Sequence, residues 1–275
     1  MHNFIIRSIS GVVFATIILA SLLWKPILFV LVFTFIILVM MREYFNITIG
    51  RKHPIGQSLA KLAGVSLFII TYFIYYQGIS PIYLILTIIP CILIMISLLY
   101  DKDKEAYKVY PYLLSSIIYI AVPFAMCNII AFNNMIFDGK IILSMLLILW
   151  SSDVGAYIFG ITLGQKFGHK LFPSISPKKS WIGYIGSVIT SILAGIILSK
   201  VELLPISILL GAILGIIINV FGTLGDLAES QLKRNFGVKD SGTIMPGHGG
   251  LLDRFDGALL AFPIAVIYLI FILSL

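Results

Sequence analysis

The sequence predicts an all-α, polytopic integral membrane protein, a helical bundle of about nine transmembrane helices with a cytoplasmic N-terminus. Three observations lead there. Of 275 residues, 60% are apolar and 11% charged, against roughly 45–50% and 25% in soluble domains. The mean hydropathy of +1.08 agrees, so a water-soluble globular enzyme is excluded. Nine apolar runs approach the ~20 residues that a helix needs to cross the hydrocarbon core. The basic residues then divide unevenly between the two sets of loops that nine crossings create.

The runs are 4–24, 26–41, 60–77, 81–100, 112–132, 141–164, 181–199, 204–224 and 255–275. The first carries Arg7 ahead of its apolar core, as a signal sequence would. Its apolar core is too long for one and no clear small-residue cleavage site follows, so it reads as a membrane helix. Only Lys25-Pro26 parts it from the second run, which makes the pair a tight helical hairpin. The N-terminus and the loops after the second, fourth, sixth and eighth runs hold 16 of the 19 Lys and Arg. Lys25, Lys140 and Lys200 are alone on the other side. Basic loops stay in the cytoplasm, so this split orients the chain and accounts for the net charge of +7 without nucleic acid. Two cysteines, both within apolar runs, exclude a disulfide scaffold and a cysteine-based zinc cluster. Asp101-Lys102-Asp103-Lys104-Glu105 reads as a solvated connector. Gly160-x-x-x-Gly164 and Gly211-x-x-x-Gly215 would allow close helix packing.

Chemistry collects in the second half. Asp153 lies inside the sixth run, where a carboxylate costs about 2.5–3.5 kcal/mol on insertion scales and demands a partner. Helical spacing puts it on one face with Ala156, Tyr157 and Gly160. Ser176-Pro177 reads as a helix start with Ser176 as N-cap. Lys178 and Lys179 would then occupy the first turn, where the dipole disfavours them unless an anion binds. The alternative is ordinary cytoplasmic positive charge. Asp226, Glu229, Ser230 and Lys233 recur at helical spacing beyond the eighth run. The next 18 residues, Asn235 to Leu252, hold five glycines and a proline. A connection that long is usually functional or disordered. Asp253 and Asp256 follow at i, i+3, on one helical face, and clustered carboxylates sharing substrate phosphates suit Mg²⁺. The alternative is helix-start caps and surface charge. His248, with no second His or Cys at ligand spacing, is not a zinc site.

The stretch Ser230-Gln-Leu-Lys-Arg, then Lys239-Asp240-Ser-Gly, Met-Pro-Gly-His248-Gly-Gly-Leu-Leu-Asp253-Arg254-Phe-Asp256 closely resembles the signature of phosphatidate cytidylyltransferases, or CDP-diacylglycerol synthases. The resemblance extends to Asp153 with Ala156-Tyr157 and to Ser176-Pro177-Lys178-Lys179-Ser180-Trp181, covering roughly 145–275. Met245, Ile182 and Gly257 depart from the family's usual branched or aromatic residue, Glu and Ser. The resemblance implies transfer of CMP from CTP to phosphatidate, releasing pyrophosphate, on the cytoplasmic face of the cell membrane. It also implies Mg²⁺, with K⁺ as a second cation, and a homodimer. It makes Asp226, Asp253 and Asp256 the metal ligands. Lys233, Arg234, Lys239, Asp240, His248 and Arg254 join them in catalysis, and Asp153, Ser176, Lys178, Lys179, Ser180 and Ser230 bind substrate. Residues 1–139 are then motif-free membrane helices and 140–275 the catalytic region of one membrane domain. The rivals are a CTP-dependent transferase or kinase acting on another lipid, and a transporter or flippase of an anionic substrate. Against transport, the charge clusters at one membrane surface and no inverted repeat is visible.

Overall fold

The computed structural model describes residues 2–101, 103, 105–164 and 169–273, with side chains from residue 6 onward. Lys102, Lys104 and Lys166 lie outside the described residues. Among those described, nine helical spans are long and apolar enough to cross a membrane. The protein is an all-α, multi-pass membrane protein; among the described residues its strands form two short hairpins, the first of β1 (Phe132–Asn133) and β2 (Ile136–Phe137). The chain falls into two compact units, Met1–Phe137 with Val238–Phe255, and Asp138–Gly237 with Asp256–Leu275.

In the first unit, α1 (His2–Leu23) and α2 (Pro26–Thr48) form the hairpin expected at Lys25-Pro26, with Pro26 opening α2. The helix α2 outlasts the predicted run by seven residues, because its two charged residues do not end it. Glu43 is buried there with partners of its own. Helix α3 (Pro54–Gln77) likewise starts before its apolar run, at Pro54, and ends on Gly78 at φ 68°. A 3₁₀ turn (Pro81–Thr87) leads into α4 (Ile88–Leu99). The span Ala106–Ala131 is α5 (Tyr110–Ser116) and α6 (Val122–Ala131), joined by a π turn at Ile117–Ala121. Pro123 has no N–H to donate, so the ladder widens before it. Phe29, Phe33, Phe68 and Phe124 stack as the core, with Phe29 and Phe33 centroids 4.7 Å apart and Phe33 and Phe124 5.7 Å apart. Asn128 Nδ2 donates to Phe68 O (3.1 Å) and Thr71 Oγ1 (2.8 Å). At the edge of the mixed-charge loop, Asp101 pairs with His53 Nδ1, while Glu105 is exposed.

The second unit is built on small residues. It holds α7 (Lys140–Phe159), a π turn (Gly160–Gly164), the hairpin β3 (Lys170–Phe172) and β4 (Ser176–Ser180), α8 (Trp181–Lys200), α9 (Ile208–Asn235) and most of α10 (Leu252–Leu273). Ser151 Oγ donates to Thr190 O (3.1 Å) while Thr190 Oγ1 donates to Ser151 O (2.9 Å), which locks α7 to α8. Asn219 of α9 reaches Ser152 (2.8 Å) and Ser187 (2.7 Å), tying three helices through one amide. Gly211 and Gly215 do face a neighbour. Backbone atoms of Gly195 and Ser191 fill the space where their Cβ atoms would stand. With 28 residues α9 is about 42 Å long, longer than the ~30 Å hydrocarbon core. Its charged residues, Asp226 to Arg234, collect in its last turns.

Close packing of this kind cannot absorb a side chain. Gly195→Leu should destabilise the second unit by about 1–3 kcal/mol, read as a lower melting temperature in detergent. An unchanged melting temperature would mean that α8 and α9 do not meet there.

Candidate functional site

In the second unit, three separated sequence blocks meet on one cavity of about 250 Å³. Helix α7 lines it with Asp153, Ala156, Tyr157 and Gly160, the face expected from helical spacing. The β4 segment adds Lys178, Lys179 and Ser180, and α9 adds Asp226. Glycines at 160, 183 and 222 leave the walls low. Lys179 Nζ lies 2.5 Å from Asp226 Oδ2, and Ser230 Oγ donates to Asp226 Oδ1 at 3.2 Å. Asp256, half-buried one turn into α10, is within electrostatic reach of Asp226, Glu229 and Asp153. Lys233 pairs with Glu229 one turn away, both buried, while Arg234 is exposed.

The expected helix start at Ser176-Pro177 is not there. Ser176–Ser180 is a strand paired antiparallel with Lys170–Phe172, Phe172 opposite Ser176 and Lys170 opposite Ser180. The helix begins at Trp181, and Ser180 is its N-cap, accepting from Gly183 N at 3.2 Å. The reason is the one that made the first reading uneasy, because a first turn carrying two lysines opposes the dipole. Moving the start past them puts both cations just outside the helix.

In the first unit, the long connection is ordered around two carboxylates. Glu43 of α2 is 5% exposed and accepts from Leu251 N (3.1 Å), Leu252 N (2.8 Å) and Ser241 Oγ (3.4 Å). It thus caps the start of α10 from a helix some 200 positions away in sequence. Asp253 Oδ2 accepts from Ser241 N, Ser241 Oγ and Gly250 N, each at 2.9 Å. Between them Met245–Gly249 closes a tight turn, with Gly247 at φ 76° and Gly249 at φ 89°. His248 Nδ1 lies 2.8 Å from Ser10 Oγ of α1, and Arg254 donates to His248 O at 3.0 Å. Lys239, Asp240, His248 and Arg254 line a basin of about 670 Å³, together with Arg7. Burial, and then the charges of Arg254 and Arg7, hold the His248 imidazole below its ordinary range, so it is neutral at pH 7.

Sequence reasoning missed Glu43, Arg7 and Ser10. Only Glu43 left a signal, as an acid beside a membrane run, and ending that run at residue 41 hid it. Glu43→Gln should cost about 1.5–3 kcal/mol, the range of a charge-assisted hydrogen bond. Hydrogen exchange at the Leu251 and Leu252 amides should speed up before that of the α2 core. Unchanged protection at those two amides would remove Glu43 from this role.

The model of the cytidylyltransferase family matches residues 5–272. A phosphatidate cytidylyltransferase of Staphylococcus epidermidis is 40% identical over 171 residues, 62% of this chain and 63% of that protein. The protein of that name from Bacillus subtilis is 44% identical over 128 residues, covering 46% of this chain and 45% of its own. The one from Staphylococcus aureus is 49% identical over 131 residues, 47% of this chain and 48% of its own. In each, the matched stretch spans less than two thirds of the relative's length. A family match running from α1 to the end of α10 places the chain in the cytidylyltransferase family.

Proposed function

We propose that this protein is a phosphatidate cytidylyltransferase, transferring CMP from CTP to phosphatidate and releasing pyrophosphate. The observation that carries this is the cavity where Asp153, Lys178, Lys179 and Asp226 converge from three separated stretches of the chain. The names of the relatives support it. An ionised phosphate oxygen of phosphatidate attacks the α-phosphorus of CTP, and the bond to the β-phosphate breaks. The nucleophile is already an anion, so no Ser, Cys or strong general base is needed. The protein's task is to neutralise two polyanions and align them. Lys178 and Lys179 suit phosphate oxygens. An arriving phosphate competes with Asp226 for Lys179 and so frees that carboxylate as substrate binds.

Among the described residues, no three His, Cys, Asp or Glu side chains form a closed metal site. The donor set nevertheless fits Mg²⁺, which takes one or two carboxylates and completes its shell with water and substrate phosphates. Asp226 and Asp256 would hold it, their mutual repulsion relieved by a cation. Bound there, the metal would offset charge on the phosphates. Asp253 is the third ligand by resemblance, and its carboxylate also organises the loop. A second cation, K⁺, and a homodimer rest on resemblance alone. The basic-loop split supports a cytoplasmic site.

Purified protein should move label from α-labelled CTP to phosphatidate. A lipid kinase would move only γ-label and a transporter neither. Asp226→Asn and Asp256→Asn should each lower kcat by about 100-fold or more in correctly inserted protein, with partial recovery at high Mg²⁺. Normal turnover with an unchanged Mg²⁺ requirement would sink the metal assignment. In a Cys-free background, single cysteines at Lys140 and Lys200 should react with an impermeant thiol reagent outside intact cells. One at Gly237 should not, and its labelling from outside would reverse the orientation.

A further inference from the structure

The basin lined by Arg7, Lys239, His248 and Arg254 does not stand alone in its unit. Met245 and Pro246 border it and also border a second hollow of about 680 Å³ between α1 and α2. That groove is apolar almost throughout, lined by Ile9, Val13 and Ile17 of α1 and by Leu31 and Phe35 of α2. These five side chains are 47–60% exposed. Its size falls in the ~300–1,000 Å³ range of small-molecule sites. Ser10, in both the groove wall and the His248 contact, joins the two. Arg7 passes close by the turn at this junction, where a Cβ on Gly247 would lie 2.7 Å from Arg7 Cγ. The turn thus needs glycine to let the arginine stem pass.

Three permanent cations and one acid beside an apolar groove on membrane-spanning helices match an amphiphile with an anionic head. A phosphomonoester carries ~1.5–2 negative charges near pH 7. CTP offers the charge but nothing for the groove. Resting on the function proposed above, we infer that this composite hollow is the phosphatidate site of the first unit. The lipid phosphate sits among Arg7, Lys239 and Arg254, and one acyl chain lies between α1 and α2. Arg7 is thereby a substrate-binding residue, supplied by a helix that carries none of the family signature.

The full chain in phosphatidylcholine nanodiscs, without CTP, would be irradiated with phosphatidate bearing a diazirine in one acyl chain. Labelling should concentrate in residues 6–36 and be competed by phosphatidate, not by CTP. It should fall about tenfold in Arg7→Gln, as loss of a charge-assisted hydrogen bond requires. Equal labelling by a diazirine phosphatidylcholine would mean ordinary boundary lipid and overturn the site. Competition by CTP, or a cross-link at Val13 between two copies of the chain, would also overturn it. Binding is read without turnover, so absent CMP transfer would defeat the function proposal and leave this one standing. In steady state, Val13→Trp should raise KM for a long-chain phosphatidate about tenfold while KM for dihexanoyl-phosphatidate and for CTP changes less than about twofold. Parallel changes for both lipids would mean general damage to the fold and overturn the groove assignment.

Discussion

One buried carboxylate sets the terms for the glycine-rich connection. Glu43 takes two backbone N–H groups at the start of α10 and is reached by the Ser241 hydroxyl. A helix start leaves its first N–H groups without intrahelical partners and carries positive partial charge. A carboxylate there answers both needs at once. The composition of the loop follows from this. Gly242 and Gly250 stand where a Cβ would run into the Glu43 side chain, so glycine is a consequence of the clamp as much as of turn geometry. Asp253 then draws Ser241 and Gly250 onto the same turn. Two acids that repel each other are each stabilised by backbone and hydroxyl donors.

The second unit solves a different problem. Helices in lipid gain little by hiding apolar surface from one another, so contact must come from close backbone approach and polar links. Gly195, Gly211 and Gly215 provide the first, and Thr190 with Ser151 and Asn219 with Ser152 and Ser187 provide the second. The same choice of small residues leaves room at the polar end of α7 and α9. A cavity appears there between α7, α8 and α9, with Asp153, Lys178, Lys179 and Asp226 on its walls. Packing and site share one cause.

Two charge pairs of the second unit differ in whether they can exchange partners. Lys179 lies against Asp226, and Lys233 against Glu229. The buried pair within α9 has nothing to gain from opening, since separating it would strand two charges away from water. The Lys179–Asp226 pair lines an open cavity and is part-exposed on both sides. A polyanion can replace Asp226 there without leaving a buried charge uncompensated. That difference in burial separates a structural pair from one that can take part in binding.

The sequence by itself determined the membrane class, the nine spans and the residues of the signature, because each depends on local content. Crossing a bilayer requires a run of apolar residues, and the acids and bases suited to phosphates fall in short local blocks of this chain. Asp153, Ala156, Tyr157 and Gly160 were legible as one face because helical spacing alone puts them there. The start of α8 was misplaced by four residues since Ser176-Pro177 and Ser180 are both acceptable caps. Only pairing of Ser176–Ser180 with Lys170–Phe172 selects between them. Tertiary structure alone decided that Glu43 caps α10, that Arg7 and Ser10 of α1 reach the loop, and that Asp101 meets His53. Those partners lie tens to hundreds of residues apart, and a hydrogen bond leaves no periodicity in the chain. A lone Glu, Arg or Ser acquires its role only when folding delivers the group it satisfies.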